Sequence, residues 1–491
     1  MDERARDLRR LLKNFLGLGL GNYGALAVSL LINALVTRRL GKDLFGSLGL
    51  LLMASQILSL TAANWTQMAV IRFGALEFAS TRTVAHTVWS RVWIAAPWAA
   101  AGAVAMFLGR EWLANYLAIP TWGLALVLAH FVAGFALTTI GAAFQARDEM
   151  RRYGVVLFLD KAVMAACVLL LPLAWVRSPI IVIGLYAAST ALVAAWGVVA
   201  LGWRSFLPIS FDRAAYRAML VFSLPLILSS WAGMIGGSWF DTPVIKHYRS
   251  VGDVGLYLLG TTMAGVVQQI TVVFSTLLLP QMSVMIAQGE HAKIRTFVDR
   301  VMPYWFLGLS VLLCAVIYAA SPVVPFVFGP AFLASVPVLV WLVLATCALA
   351  LFNAFSPLVV ALGSTWVLTW ICLASGTVNV AMDFILIPRY GIAGSAFATL
   401  LSYGVSAACV LAFVQQRVGG RVVGLSVLAV PVAIVAVGFF ILPGYWFYLL
   451  TLPAGIVSVL WLVSRFRLFR AEDAVYLQGL RLPASLVGRT P

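Results

Sequence analysis

The chain has 491 residues, of which 63% are hydrophobic and only 10% charged, with a formal net charge of +16. An ordinary soluble domain carries about 45–50% apolar and about 25% charged residues, and its surface needs polar cover, so a soluble enzyme of this length is excluded. Disorder is excluded as well, because it requires low hydrophobicity.

A membrane-spanning helix needs roughly 20 apolar residues. That ruler picks out fourteen segments, at about 15–36, 44–71, 88–108, 121–143, 154–176, 179–203, 219–241, 254–282, 302–320, 331–356, 366–387, 391–414, 422–441 and 445–464. The pairs within 154–203 and 366–414 have very short connections, which leaves thirteen or twelve spans open. Ahead of the first segment, Leu8, Leu11, Leu12, Phe15 and Leu16 follow helical spacing with Arg9, Arg10 and Lys13 between them. This predicts an amphipathic helix over residues 1–14 lying on the membrane surface. The opening MDERARDLRR mixes acids with bases, which argues against a cleaved signal peptide.

Placing the N-terminus in the cytoplasm puts 24 of the 33 Lys and Arg residues inside and 8 outside, with Lys161 inside a span. That bias is a positive-inside signal, and it favours an even number of spans, because an odd number would place the Arg-rich tail outside. The charge is therefore read as orientation rather than as a nucleic-acid surface. No nucleic-acid partner is expected.

Two pieces of the chain resemble one another about 209 residues apart: Asp43-Leu44-Phe45-Gly46-Ser47-Leu48 with Asp253-Val254-Gly255-Leu256-Tyr257, and Thr87–Val92 with Thr296–Val301. An offset of six spans preserves orientation, so the repeat is parallel. The expected organisation is an N-terminal six-helix lobe at 15–203, an inter-lobe linker at 204–218, a second six-helix lobe at 219–414, an additional helix pair at 422–464 and a basic tail at 465–491.

Nothing points to catalysis. There is no GxxxxGK[ST] loop, and His86, His130, His247 and His291 make no metal-ligand spacing. The five cysteines lie in apolar runs without a CxxC pair, so neither a disulfide framework nor a metal is expected. The acids expected outside, Asp43, Glu111 and Asp253, are singly placed, whereas a glycosyltransferase or polymerase would offer paired carboxylates or a large outer loop. No cofactor and no enzyme activity are expected.

Ionisable groups at membrane depth are informative, because they are costly unless they face a cavity or a partner. Lys161 lies about seven residues into its span, roughly 10 Å deep, and His130 is also near mid-depth. Asp160 adjoins Lys161 but points about 100° away around the helix. Asp241 and Asp383 end spans near the outside, and Arg72 ends one near the inside. Lys161, Arg72 and His130 are candidate substrate-binding residues, a cation suiting a phosphate or pyrophosphate. Asp160, Asp241 and Asp383 are candidates for ion coupling, or else structural caps. Asn22, Asn33, Gln67, Gln268, Asn353 and Asn379 add polar atoms within spans, as packing contacts or cavity lining.

Three stretches resemble a known family. They are Thr37-Arg38-Arg39-Leu40-Gly41 through Phe45-Gly46 with Ala69-Val70-Ile71-Arg72; Leu224-Pro225 with Asp241, Val254-Gly255-Leu256-Tyr257 and Leu279-Pro280-Gln281-Met282; and Asn379 through Ile387-Pro388-Arg389-Tyr390-Gly391-Ile392-Ala393-Gly394-Ser395-Ala396. Over about residues 10–415 the chain resembles the Wzx-type polysaccharide flippases of the MATE/oligosaccharide–polysaccharide transporter superfamily. The resemblance implies an all-α membrane protein with two pseudo-symmetric six-helix lobes around a central cavity. It implies movement of undecaprenyl-pyrophosphate-linked oligosaccharides across the bacterial inner membrane by alternating access, with pathway glycosyltransferases and a polymerase as partners; the charge bias places both termini in the cytoplasm. Arg72 matches the motif arginine and Asp241 the motif aspartate. Lys161 and His130 match no motif, and Ser395 stands where the family usually has alanine. A cation-coupled multidrug exporter of the same superfamily and a membrane glycosyltransferase or polymerase are the alternatives.

Overall fold

In the computed structural model the chain is helical almost throughout, and no strand occurs among the described residues. The structure describes residues 2–171, 177–209, 211–235, 238–418, 423–466 and 468, with backbone only for 2–16 and for scattered positions further on, chiefly within 229–239 and 277–291. The expected interfacial segment 1–14 is part of the first helix from Asp2 on, but its side chains, and nearly all of the basic tail 465–491, lie outside the described residues.

The chain divides into two compact units. The first comprises Met1–Met234, Arg249–Leu256 and Val327–Ala331. Its helices are α1 (Asp2–Ala62), α2 (Gln67–Thr81), α3 (Ala85–Leu108), α4 (Arg110–Leu117), α5 (Gly123–Ala146), α6 (Met150–Leu170), α7 (Pro179–Leu201) and α8 (Arg213–Ile235). The second comprises Ile235–Tyr248, Tyr257–Phe326 and Phe332–Pro491. Its helices are α9 (Ser238–Tyr248), most of α10 (Val251–Ala287), α11 (His291–Thr296), most of α12 (Met302–Phe328), α13 (Val336–Ala361), α14 (Thr365–Tyr390), α15 (Ile392–Val418), α16 (Val430–Ile441) and α17 (Tyr445–Phe466).

Helices are what a bilayer demands, because lipid offers no partner for a backbone N–H or C=O and the α-helix satisfies them within one segment. Twelve stretches among the described residues are long and apolar enough to cross a membrane. One of them, Gly19–Ala62, has 44 residues. At 1.5 Å per residue it is about 66 Å long, twice the ~30 Å hydrocarbon layer. Gly41 divides it, with φ 71° and ψ 177° inside an otherwise continuous helix. That region strongly favours glycine, and two of the fourteen expected segments lie on either side. The segment expected at 219–241 is carried by α8 and the first turn of α9; its paired glycines 236–237 lie outside the described residues.

The expected second span, 44–71, is interrupted. Helix α1 stops at Ala62, and a 3-10 turn at Asn64–Thr66 precedes α2. The Trp65 indole donates to the Thr61 carbonyl at 2.9 Å and the Thr66 hydroxyl to the Ala63 carbonyl at 2.6 Å. Such side-chain bonds compete with the helix ladder. Arg72 therefore sits in a separate helix instead of ending the preceding span.

Two motif segments have a backbone explanation. A Cβ on Gly46 would run into the Val251 carbonyl, and one on Gly255 into the Lys42 carbonyl. The second half of α1 and the start of α10 thus cross with their backbones almost touching, and the mutually similar sequences at this offset pack on one another. Gly391, alone between α14 and α15, has φ 63°, and its N–H donates to the Ile387 carbonyl at 2.9 Å. The resulting hairpin is tied at depth by the Ser375 and Ser402 hydroxyls, 2.7 Å apart and buried.

Candidate functional site

The second unit holds a buried acidic site. Asp241 lies in the first turn of α9, and Asp383 lies on α14 seven residues before its end. Both are 0% exposed, as are Asn379, Tyr257 and Ser395. The sequence places these acids at span ends, where they would meet water; the structure encloses both. Helical spacing of four puts Asn379 and Asp383 on one face of α14, and Ser395 and Thr399 on one face of α15.

The amide of Asn379 donates to Asp241 Oδ1 at 2.8 Å and to Asp383 Oδ2 at 3.2 Å. The Tyr257 hydroxyl donates to Asp241 Oδ2, and Thr399 Oγ1 lies 3.5 Å from the same oxygen. Ser395 stands beside Tyr257 and Asp383. No ion pair with a Lys or Arg satisfies either acid among the described residues. Three buried oxygens, Asp383 Oδ1, Asn379 Oδ1 and Ser395 Oγ, have no hydrogen-bond partner there.

Buried polar atoms are ordinarily paired, and each exception asks for an explanation. Here the unpaired atoms are all oxygens beside two buried acids that no Lys or Arg pairs with among the described residues. Such a set suits a hard cation bound by oxygen ligands. It does not resemble a zinc or redox-metal site, since no group of three His, Cys, Asp or Glu occurs among the described residues. Sequence reading singled out Asp241, Asp383 and Asn379 but missed Tyr257, Thr399 and Ser395 as a set. Their one available signal was the pair of i, i+4 spacings on α14 and α15.

The first unit gathers three other expected residues near mid-depth. Lys161 Nζ lies 2.7 Å from Asp160 Oδ2, and Thr190 Oγ1 donates to Asp160 Oδ1 at 2.8 Å. Adjacent helix positions point about 100° apart, but the flexible lysine stem bends back far enough to pair. Asp160 is 7% exposed, while the Lys161 side chain is 35% exposed. His130 Nδ1 lies 2.8 Å from Ser55 Oγ, and its ring meets Tyr186 edge-on at 6.1 Å. Lys161 is thus one half of an ion pair rather than a lone cation.

Arg72 lies apart from this cluster. Its guanidinium sits 4.9 Å over the Phe222 ring and 5.6 Å over Phe73. Stacking uses the faces of the planar group and leaves its N–H edge for a forked anion. The motif arginines Arg38 and Arg39 are occupied differently: Arg38 Nε donates to the Val327 carbonyl at 2.7 Å, and Arg39 Nη1 donates to the Val168 carbonyl. They cap the ends of α12 and α6, where cations and free carbonyls complement each other.

Arg91 lies within the span expected at 88–108. It is 0% exposed, stacked 5.0 Å over Phe135, with Nη2 donating to Thr138 Oγ1 at 3.1 Å. Its Nε and Nη1 have no partner among the described residues.

Beside α17 the second unit carries an apolar cavity of about 360 Å³, lined by Val311, Ala315 and Tyr318 of α12, Val435 of α16 and Leu452 and Ile456 of α17.

Comparison with known proteins fits this architecture. A family profile described as polysaccharide biosynthesis protein matches residues 11–286. The chain belongs to that family. Its fold is similar to that of the lipid II flippase MurJ in an inward closed conformation, with a TM-score of 0.72 at 12% identity over 91% of this chain and 98% of that one. It is also similar to an inward-facing multidrug resistance MATE family transporter of the MOP superfamily, with a TM-score of 0.60 at 14% identity over 84% and 98%. A eukaryotic MATE transporter follows, with a TM-score of 0.57 at 14% identity over 84% and 99%. No curated protein sequence matches the chain significantly. At these identities the likeness concerns the all-α fold alone.

Proposed function

We propose that this protein is a flippase that carries an undecaprenyl-pyrophosphate-linked oligosaccharide across the bacterial inner membrane for exopolysaccharide, capsule or O-antigen assembly, without itself being an enzyme. Family membership over residues 11–286 is the observation that carries the reading. Two features of the molecule support it. The apolar cavity along α12, α16 and α17 suits an isoprenoid tail, because it carries no charge and lies on helices at membrane depth. The stacked Arg72 suits the pyrophosphate, with its N–H edge free for two anionic oxygens. Lys161, shared with Asp160, is a separate cation that the anionic group meets elsewhere in the unit once the pair opens.

Transport uphill needs an energy source, and no nucleotide-binding loop is present in the sequence. We assign coupling to the Asp241–Asp383 site. A cation that binds one conformation better than the other shifts the equilibrium by its difference in affinity. The two six-helix lobes of the expected organisation then exchange access, with both termini in the cytoplasm, and glycosyltransferases and a polymerase acting before and after.

The test is translocation in vesicles. Purified protein is reconstituted with a fluorescent prenyl-pyrophosphate oligosaccharide, and the fraction reachable by an external quencher is followed with and without a cation gradient. Faster loss of asymmetry than in empty vesicles is expected. The competing reading, a cation-coupled drug exporter, is favoured by the MATE-type fold neighbours. It predicts efflux of amphipathic dyes from the same vesicles and no movement of the lipid-linked sugar.

A further inference from the structure

The first unit has a second apolar cleft, of about 510 Å³, between the latter half of α1, α3 and α4. Its walls are Ala54, Ile57 and Thr61 of α1 and Trp98, Ala101 and Ala105 of α3, and Trp112 and Leu113 of α4 close one end. These positions recur at three- and four-residue spacing, so each helix contributes one face. The cleft exists because those faces are small. The helices touch at Gly102, where a Cβ would come within 2.7 Å of Leu58 Cδ2, and alanines open the space on either side. No charge lines it, and the Thr61 hydroxyl is turned back onto the Ile57 carbonyl at 2.8 Å.

Three observations describe what would lie there. From Trp98 to Gly109 the cleft follows α3 for roughly 16 Å, about half of the ~30 Å hydrocarbon layer, which is the depth of one leaflet. Its surroundings face outward: Trp98, Val104, Phe107 and Leu108 are all exposed on a helix apolar enough to span the membrane. At the end marked by α4, the Trp112 and Tyr116 rings stack at 5.5 Å, and aromatic pairs at a span end mark the headgroup level. Arg110, exposed at that same end, has its guanidinium 4.9 Å over Phe107 and no ion pair among the described residues. The neighbouring acid, Glu111, is also exposed but points about 100° away around the helix.

We infer that this cleft holds one acyl chain of an anionic glycerophospholipid, with the phosphate at Arg110. The chain fills an uncharged channel one leaflet deep, and the headgroup meets the cation at the aromatic belt. The inference does not depend on what the protein transports.

The experiment uses the full-length protein in nanodiscs of phosphatidylcholine and phosphatidylglycerol. Each lipid is supplied in turn with a photoactivatable diazirine in its acyl chain, and crosslinks are mapped by mass spectrometry. Label from the phosphatidylglycerol probe is expected to concentrate on residues 98–113. Ala105→Trp, which fills the cleft from an exposed position, should lower that label to the level found on the exposed face of α17. Arg110→Gln should lower the preference for phosphatidylglycerol over phosphatidylcholine by about fivefold, the worth of one basic residue near an anionic surface. Should Ala105→Trp fail to fold, Ala101→Leu and Arg110→Gln carry the same two tests. Label spread evenly over all lipid-facing helices, label unchanged by filling the cleft, or displacement by an equimolar polyprenyl phosphate in preference to unlabelled phosphatidylglycerol would each overturn the assignment.

Discussion

Asp383→Asn separates a cation site from a merely polar core. In the native site Asp383 Oδ1, Asn379 Oδ1 and Ser395 Oγ are unpaired, and two buried carboxylates lie together without a counter-charge. The substitution keeps the size and removes the negative charge that Asp383 can offer a bound cation. Two unit charges about 4 Å apart interact by about 4 kcal/mol at an effective dielectric of about 20. A bound cation should therefore lose roughly a factor of several hundred in affinity. At ten times the native dissociation constant, binding adds about 1.4 kcal/mol to the folded state, and in the variant that contribution should vanish. For a chain of this size the shift amounts to roughly 2 °C in melting temperature. The assay is thermal unfolding in detergent, comparing sodium, potassium and calcium chloride with choline chloride at equal ionic strength. Native protein should melt higher in one of the inorganic salts, and Asp383→Asn should melt at the same temperature in all of them. Without any cation its melting point should lie at or above that of the native protein, because a neutral amide replaces a buried acid beside another acid. The assignment fails if native protein shows no cation-specific shift, or if the variant keeps the full shift.

Arg72→Ala should reduce translocation of a lipid-linked oligosaccharide by about 10- to 100-fold at unchanged protein level, since one charge-assisted hydrogen bond is worth about 1.5–3 kcal/mol; reconstituted vesicles measure it. Lys161→Ala should act in the same direction and Arg38→Ala mainly on stability, because Arg38 caps a helix end. In a double-mutant cycle on Asp160→Asn and Lys161→Met, read by thermal unfolding, the coupling should be about 0.5–1 kcal/mol, because the Lys161 side chain is 35% exposed and partly screened. Gly255→Val should lower stability by about 1–3 kcal/mol through collision with the Lys42 carbonyl, whereas Gly265→Ala, where a Cβ meets nothing, should be neutral; expression yield and melting temperature report both.

The helices were legible because lipid forces every spanning segment to satisfy its own backbone, and each of the fourteen apolar runs is carried mainly by helix in its described residues. The interruption after Ala62 was not, because it depends on where the Trp65 and Thr66 side chains turn. The acids show the same division. Asp241 and Asp383 stand out in the sequence as rare charges in apolar runs. That Tyr257 of α10, Asn379 of α14 and Thr399 of α15 close around them became visible only when helices separated by more than a hundred residues came together. Lys161 reads in sequence as an isolated cation, and the fold shows it bent back onto Asp160.

The amino-acid sequence by itself determined a polytopic helical membrane protein, its spans and its charge asymmetry, because hydrophobic length and loop charge are local properties. Only the tertiary structure decided which of the rare polar groups meet. Each residue turns a helix by about 100°, so a side chain's partners depend on the rotation and depth of neighbouring helices. Those are set by packing such as the Gly46–Gly255 crossing, which no single segment encodes. Two members of the positive surplus are resolved in the same way: Arg91 is enclosed in the core of its unit, and Arg72 lies over the Phe73 and Phe222 rings.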